Sequence, residues 1–175
     1  SGGVGADASL VVVATGDGEV IALEVRDGSV RWRARVSSEV LTAPAVTNDM
    51  VVVRSADNRI FALNAQDGKR RWVFQRAALP LAVRTPAGVV VDRDNAYAGF
   101  PGGKLVAVAL SNGAARWEAT VAIPRGATEL ERVSDVIGQP AVSAREVCAV
   151  AFQGRVACFD IANGTLLWGR PLSSV

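Results

Sequence analysis

Apolar residues in this chain fall into short runs, Leu10 to Ala14, Met50 to Val53, Ala96 to Ala98 and Val147 to Phe152 among them. Glycine, proline or an Asp/Asn-Gly pair interrupts nearly every window long enough for a helix, and a 3.6-residue period is nowhere sustained. The pattern predicts an all-β chain of short strands joined by tight turns.

The strands belong to a repeat. "VIALEVRDGSVRW", "IFALNAQDGKRRW", "LVAVALSNGAARW" and "VACFDIANGTLLW" superpose without gaps, each ending on a tryptophan: Trp32, Trp72, Trp117 and Trp168. Four residues before each tryptophan stands the glycine of an Asp-Gly or Asn-Gly pair: Gly28, Gly68, Gly113 and Gly164. Such a pair suits a turn with positive φ, which Gly adopts freely and Asn or Asp more readily than most residues. A small residue (Ala22, Ala62, Ala107, Cys158) precedes a large apolar one (Leu23, Leu63, Val108, Phe159) at one fixed place in each copy.

Upstream of each copy lies one further apolar strand, and before three of them a Pro-containing one, "APAV" at 43–46, "TPAGVVV" at 85–91 and "QPAV" at 139–142. Four strands per repeat and tryptophan spacings of 40, 45 and 51 residues match a four-stranded β-propeller blade, lengthened by loops in the later copies. The boundaries expected are 1–36, 37–76, 77–122 and 138–175, with an insertion over 123–137 between the last two. The first blade starts so near Ser1 that it lacks a clear partner strand to spare. Each tryptophan is expected to pack where neighbouring blades meet, as an anchor and not as a ligand platform.

Composition narrows the chemistry. The 175 residues make about one domain, and no apolar stretch approaches the roughly 20 residues of a membrane-spanning helix. The 19 basic and 17 acidic residues are scattered, with no basic stripe to track a nucleic acid backbone. The chain has no histidine, which removes the commonest general base and metal ligand together with every histidine-based triad.

Cys148 and Cys158 read as two buried free thiols. A tight hairpin at Gln153-Gly154 would set Cys148 opposite Phe159 and Cys158 opposite Ala149, on opposite faces. "DRDNAYAG" beginning at Asp92 places Asp92, Asp94 and Asn95 near one another but has no trailing glutamate, so a turn explains it better than calcium. Glu129, Glu131 and Asp135, interleaved with Arg132, read as a locally neutralised surface and not as an acid-base pair. No cofactor, metal or catalytic residue is expected.

The Gly-x-x-x-Trp element resembles the blades of propellers related to the quinoprotein dehydrogenases. Three segments sharpen the likeness: "SGGV" at the start, "LPLAVRTPA" at 79–87 and "GATELERVSDVIGQPAV" at 126–142. Together they make the chain similar to the BamB family of outer-membrane protein assembly factors, over essentially its whole length.

That resemblance implies an eight-bladed ring, lipid-anchored on the periplasmic side of an outer membrane, of which these four blades are a central piece without the anchor and the closing strands. It implies a non-enzymatic role: docking on a POTRA domain of the barrel-inserting subunit BamA and helping deliver unfolded outer-membrane proteins. The docking loops correspond to "LPLAVR" and "ERVSDV", with Leu81 and Val83 as apolar contacts, Arg84 as charged anchor and Asp135 as acidic contact. Where the family can carry a second acid two positions after Asp135, this chain has Ile137, which shifts the expected interface towards apolar contact.

Leu79, Leu81 and Val83 beside Arg84 are also, by residue type alone, the makings of a small hot spot, although the same residues suit the first strand of the third blade. Exposed faces of terminal blades are expected to drive self-association. Blade-edge strands offer an extended client a place to add a strand, although the sequence names no particular edge. The rival functions are a quinoprotein dehydrogenase fragment binding pyrroloquinoline quinone and a scaffold for another periplasmic partner.

Overall fold

The computed structural model describes residues 2–76, 87–123, 134–152 and 154–172. Among them are sixteen strands in four antiparallel four-stranded sheets, with no helix. Each sheet runs its strands in chain order, the arrangement of a β-propeller blade. The chain divides into two compact units, Ser1–Arg76 with Leu110–Gly113, and Ala77–Ala109 with Ala114–Val175.

In the first unit one sheet comprises β1 (Val4–Ala6), β2 (Leu10–Ala14), β3 (Glu19–Glu24) and β4 (Val30–Arg35), and the other β5 (Ala45–Val46), β6 (Met50–Ser55), β7 (Arg59–Asn64) and β8 (Arg70–Gln75). The first blade has the four strands expected of it, β1 pairing Val4 with Val13 and Ala6 with Val11. Leu10, Val12, Val20, Val51, Val53 and Phe61 join Trp32 in one apolar cluster.

In the second unit the sheets comprise β9 (Val89–Val91), β10 (Asn95–Phe100), β11 (Lys104–Ala109) and β12 (Ala115–Thr120), then β13 (Val136–Val142), β14 (Glu146–Ala151), β15 (Arg155–Asp160) and β16 (Leu166–Pro171). Tyr97, Leu105, Val121, Val136, Val147 and Phe159 form its core. Middle strands such as β10 and β11 are buried on both faces and read as continuous apolar runs, whereas outer strands such as β8 keep charged, exposed positions.

The turn before each tryptophan is longer than a two-residue hairpin. Glu24 receives the N–H of Gly28 on its carbonyl at 2.9 Å and donates its own N–H to Ser29, and Asn64 and Asp160 repeat this with Gly68 and Gly164. Only the glycine has positive φ (71° at Gly28, 72° at Gly68), so the Asp or Asn acts through its side chain instead. Asp27, Asp67 and Asn163 each accept the N–H two residues on, from Ser29, Lys69 and Thr165, at 2.9 to 3.0 Å. Beyond the turn the register slips by one in every blade, between Ala22/Leu23, Ala62/Leu63, Ala107/Val108 and Cys158/Phe159. This bulge leaves the residue before each tryptophan unpaired and sets the tryptophan directly across from the small residue.

The cysteines differ from expectation. Cys148 and Cys158 face each other directly and form a disulfide, instead of two free thiols on opposite faces. The connection between β14 and β15 leaves three residues between the paired Ala151 and Arg155, not two, and that single step of register returns both side chains to one face. A Glu146 carboxylate oxygen lies within 4.8 Å of the two sulfurs, but their mutual bond leaves no thiolate for a metal.

Candidate docking site

Leu81, Val83 and Arg84, like Glu129, Glu131 and Arg132, lie outside the described residues. The chain that enters and leaves those segments is described, and it is held tightly.

Ala87 and Gly88 follow the first segment, and Gly138 lies just after the second. Gly88 donates its N–H to the Gly138 carbonyl at 3.0 Å, Ala87 and Gly138 form an isolated parallel bridge, and Gln139 Nε2 donates to the Val89 carbonyl at 3.2 Å. Gly138 has φ of 69°, and the β13–β14 register breaks between Ile137 and Ala141, which lets the strand bend toward Gly88. The described chain that follows "LPLAVR" and "ERVSDV" is thus joined through backbone hydrogen bonds.

Both ends of the insertion also meet one turn, Pro101 to Gly103, between β10 and β11. On the upstream side Val121 donates its N–H to the Gly103 carbonyl at 2.8 Å, and a Cβ at Gly103 would lie 2.0 Å from the Ala122 carbonyl oxygen. On the downstream side the Asp135 carboxylate accepts the Gly102 N–H at 2.9 Å, while the Asp135 carbonyl accepts from Phe152 at 2.8 Å. Asp135 is only 4% exposed and Ser134 beside it 3%, so this acid is part of the loop's root and not of an open charged surface. The charge-rich run concealed this. The paired glycines 102 and 103 are the signal that a close backbone approach was needed there.

The repeat anchors hold the blades within each unit. Trp32 Nε1 donates to the Ala65 carbonyl at 2.8 Å and Trp72 Nε1 to that of Leu110 at 2.7 Å, and in the second unit Trp117 Nε1 donates to Ile161 at 3.1 Å. The ring of each rests on the next turn glycine. A Cβ on Gly68, Gly113 or Gly164 would come within 2.6 to 2.8 Å of Trp32, Trp72 or Trp117 respectively. Gly28 and Trp168 stand outside this chain of contacts: nothing lies within 4 Å of a Cβ at Gly28, and Trp168 is 44% exposed.

Asp92, the calcium candidate, is committed to its turn. One carboxylate oxygen accepts the N–H groups of Asp94 and Asn95 at 3.0 and 2.8 Å, and the other accepts the Tyr97 hydroxyl at 2.9 Å. Burial, reinforced by the Asp92 hydrogen bond, pushes the Tyr97 phenol well above its ordinary pKa, so it stays a neutral donor. No helix among the described residues is long and apolar enough to cross a membrane.

Comparison with known proteins bears on the family and the fold. The family model described as outer membrane protein assembly factor BamB matches residues 1–175. The BamB of Nitrosomonas eutropha is 47% identical over 174 residues, covering 99% of this chain and 42% of that protein. The crystal structure of BamB from Moraxella catarrhalis superposes with a TM-score of 0.87 at 29% identity, covering 99% of this chain and 53% of that one. A quinohemoprotein alcohol dehydrogenase from Pseudomonas putida shares the fold alone, with a TM-score of 0.73 at 16% identity over 98% of this chain and 34% of that one. The chain thus spans less than half the length of the Nitrosomonas relative. With the family model matched from end to end and nearly half the residues shared with that relative, this chain belongs to the BamB family of outer membrane protein assembly factors.

Proposed function

We propose that this chain is a non-enzymatic docking module for outer-membrane β-barrel assembly, which binds a POTRA domain of BamA through the segments "LPLAVR" and "ERVSDV". The observation that supports this reading is the hydrogen bond from Gly88 to Gly138, which joins the chain that follows the two segments. Two loops fixed at a common root can act as one surface. Leu81 and Val83 supply its apolar part and Arg84 its charged anchor. Asp135 serves as the tie that sets the second segment's exit, since its carboxylate is spent on Gly102. The same reading puts the protein at the periplasmic face of the outer membrane, lipid-anchored in its full-length form, where it assists delivery of unfolded barrel proteins.

The test is binding of purified BamA POTRA domains to this protein and to its Arg84→Glu variant. Loss of a hot-spot anchor costs about 2 kcal/mol or more, so affinity should fall roughly 30-fold. Equal affinity for the two would remove Arg84, and with it the proposed surface. The dehydrogenase-fragment alternative is checked by absorbance after incubation with pyrroloquinoline quinone and calcium, where a stoichiometric complex would favour it.

A further inference from the structure

A concave surface lies in the first unit, built of residues outside the segments proposed for docking. It is a groove of about 500 Å³ lined by Arg35, Val36 and Ser37 at the end of β4 and by Arg59, Phe61, Arg70, Val73 and Gln75 on β7 and β8. Three arginines line it together with the apolar Val36, Phe61 and Val73. Val73 is 43% exposed there although it stands directly opposite buried Phe61.

The charges on the rim are incompletely neutralised. Arg59 pairs with Asp57 at 3.1 Å, and Asp57 also accepts the Ser37 hydroxyl at 2.6 Å. Glu19, the register partner of Arg35, is bonded to Arg33 at 3.1 Å. Asp67, near Arg70 in sequence, pairs with Lys69. Among the described residues Arg35 and Arg70 have no acidic partner, so the groove keeps an excess of positive charge facing an apolar strip.

The spacing specifies what would fill it. Arg70 is opposite Leu63, Val73 opposite Phe61, and Gln75 opposite Arg59, so these pairs share one face of the sheet. Leu63 and Arg59 are four residues apart on β7, which at roughly 3.4 Å per residue separates the two charged ends by about 14 Å. An extended peptide repeats its side chains on one face at positions i, i+2 and i+4 with the same rise. In addition, β8 is the outer edge of its sheet and has no strand partner on one side among the described residues.

We propose that this groove binds an extended acidic protein segment carrying carboxylates at i and i+4 and an apolar residue at i+2. Arg70 takes one carboxylate, Arg59 and Arg35 the other, and Val73 with Phe61 receives the apolar side chain between them. Guanidinium groups suit this task because their planar forks grip carboxylates with two hydrogen bonds. Backbone pairing along β8 supplies the remaining affinity.

The test uses fluorescein-labelled peptides containing Glu-Ser-Val-Ser-Glu, or the scramble Ser-Glu-Glu-Ser-Val of equal charge, with anisotropy as the readout. The patterned peptide should bind at least tenfold more tightly than the scramble. Arg70→Ala and Arg35→Ala should each weaken it at least fivefold, with circular dichroism unchanged, while Arg116→Ala on another blade should leave it unaltered. Equal binding of the two peptides, or indifference to Arg70→Ala, would overturn the proposal. Because none of these residues belongs to the two proposed docking segments, loss of POTRA binding and loss of peptide binding are separable results.

Discussion

Gly68 lies under the Trp32 ring so closely that a single added methyl would stand 2.6 Å from Cε3. Gly28 has nearly the same positive φ but nothing near it, so the two glycines separate backbone strain from contact. Gly28→Ala should cost about 1 to 2 kcal/mol for the left-handed conformation. Gly68→Ala should cost that and a further ~1 to 3 kcal/mol of overpacking. Urea unfolding of both variants checks the difference, and equal losses would mean that the ring contact contributes nothing.

Trp72 and Trp168 occupy the same repeat position, yet one is 8% exposed and the other 44%. Trp72→Ala should cost about 3 to 5 kcal/mol, the range for a buried aromatic, and Trp168→Ala less than half of that. An unchanged melting temperature in Trp72→Ala would remove the tryptophan from its anchoring role.

Leu166, Leu167 and Trp168 on β16, and Leu172 just after it, are each between 44% and 49% exposed. Self-association is the expected outcome, with light-scattering mass rising with concentration and Trp168→Asp returning it to the monomer value. A monomer mass for the wild type at high concentration would contradict this.

The disulfide closes a short loop, its cysteines ten residues apart in sequence. Replacing both by alanine should lower stability by about 2 to 3 kcal/mol through the entropy regained by the unfolded chain. Denaturant midpoints with and without reductant should converge in the double variant, where no bond remains to be reduced.

Arg31 grips Glu24 through both guanidinium nitrogens, at 2.6 and 2.7 Å, and that hydrogen bonding holds the Glu24 carboxyl below its ordinary pKa. The Ser29 side chain and the Lys69 backbone N–H do the same for Asp27 and Asp67. A carboxyl depressed in the folded state contributes stability that is complete above its unfolded pKa and is lost as pH falls through its folded one. Stability should therefore decline on acidification through and below the ordinary carboxylate range, less steeply in Arg31→Ala. Parallel acid limbs in the two proteins would count against the Arg31 contribution.

The blades were legible because their chemistry is carried by adjacent residues: a turn glycine, a side chain accepting the next N–H, and a tryptophan across from Ala22, Ala62 or Ala107. What depended on counting turn residues was not. One residue more in the connection before Arg155 turned two expected thiols into a disulfide. The burial of Asp135 was equally hidden, since its partner Gly102 lies 33 positions away and only the fold brings them together. Trp168 matches the other three in sequence and differs only in what covers it.

The Pro101 to Gly103 turn grips both Val121 and Asp135, so the described chain on either side of residues 124–133 is held by one turn of one blade. Doubling the length of a flexible segment between fixed ends adds only about 0.6 kcal/mol of closure entropy. The turn thus works as a clamp, and sequences of other lengths grafted between Ile123 and Ser134 are expected to leave the propeller blades as they are.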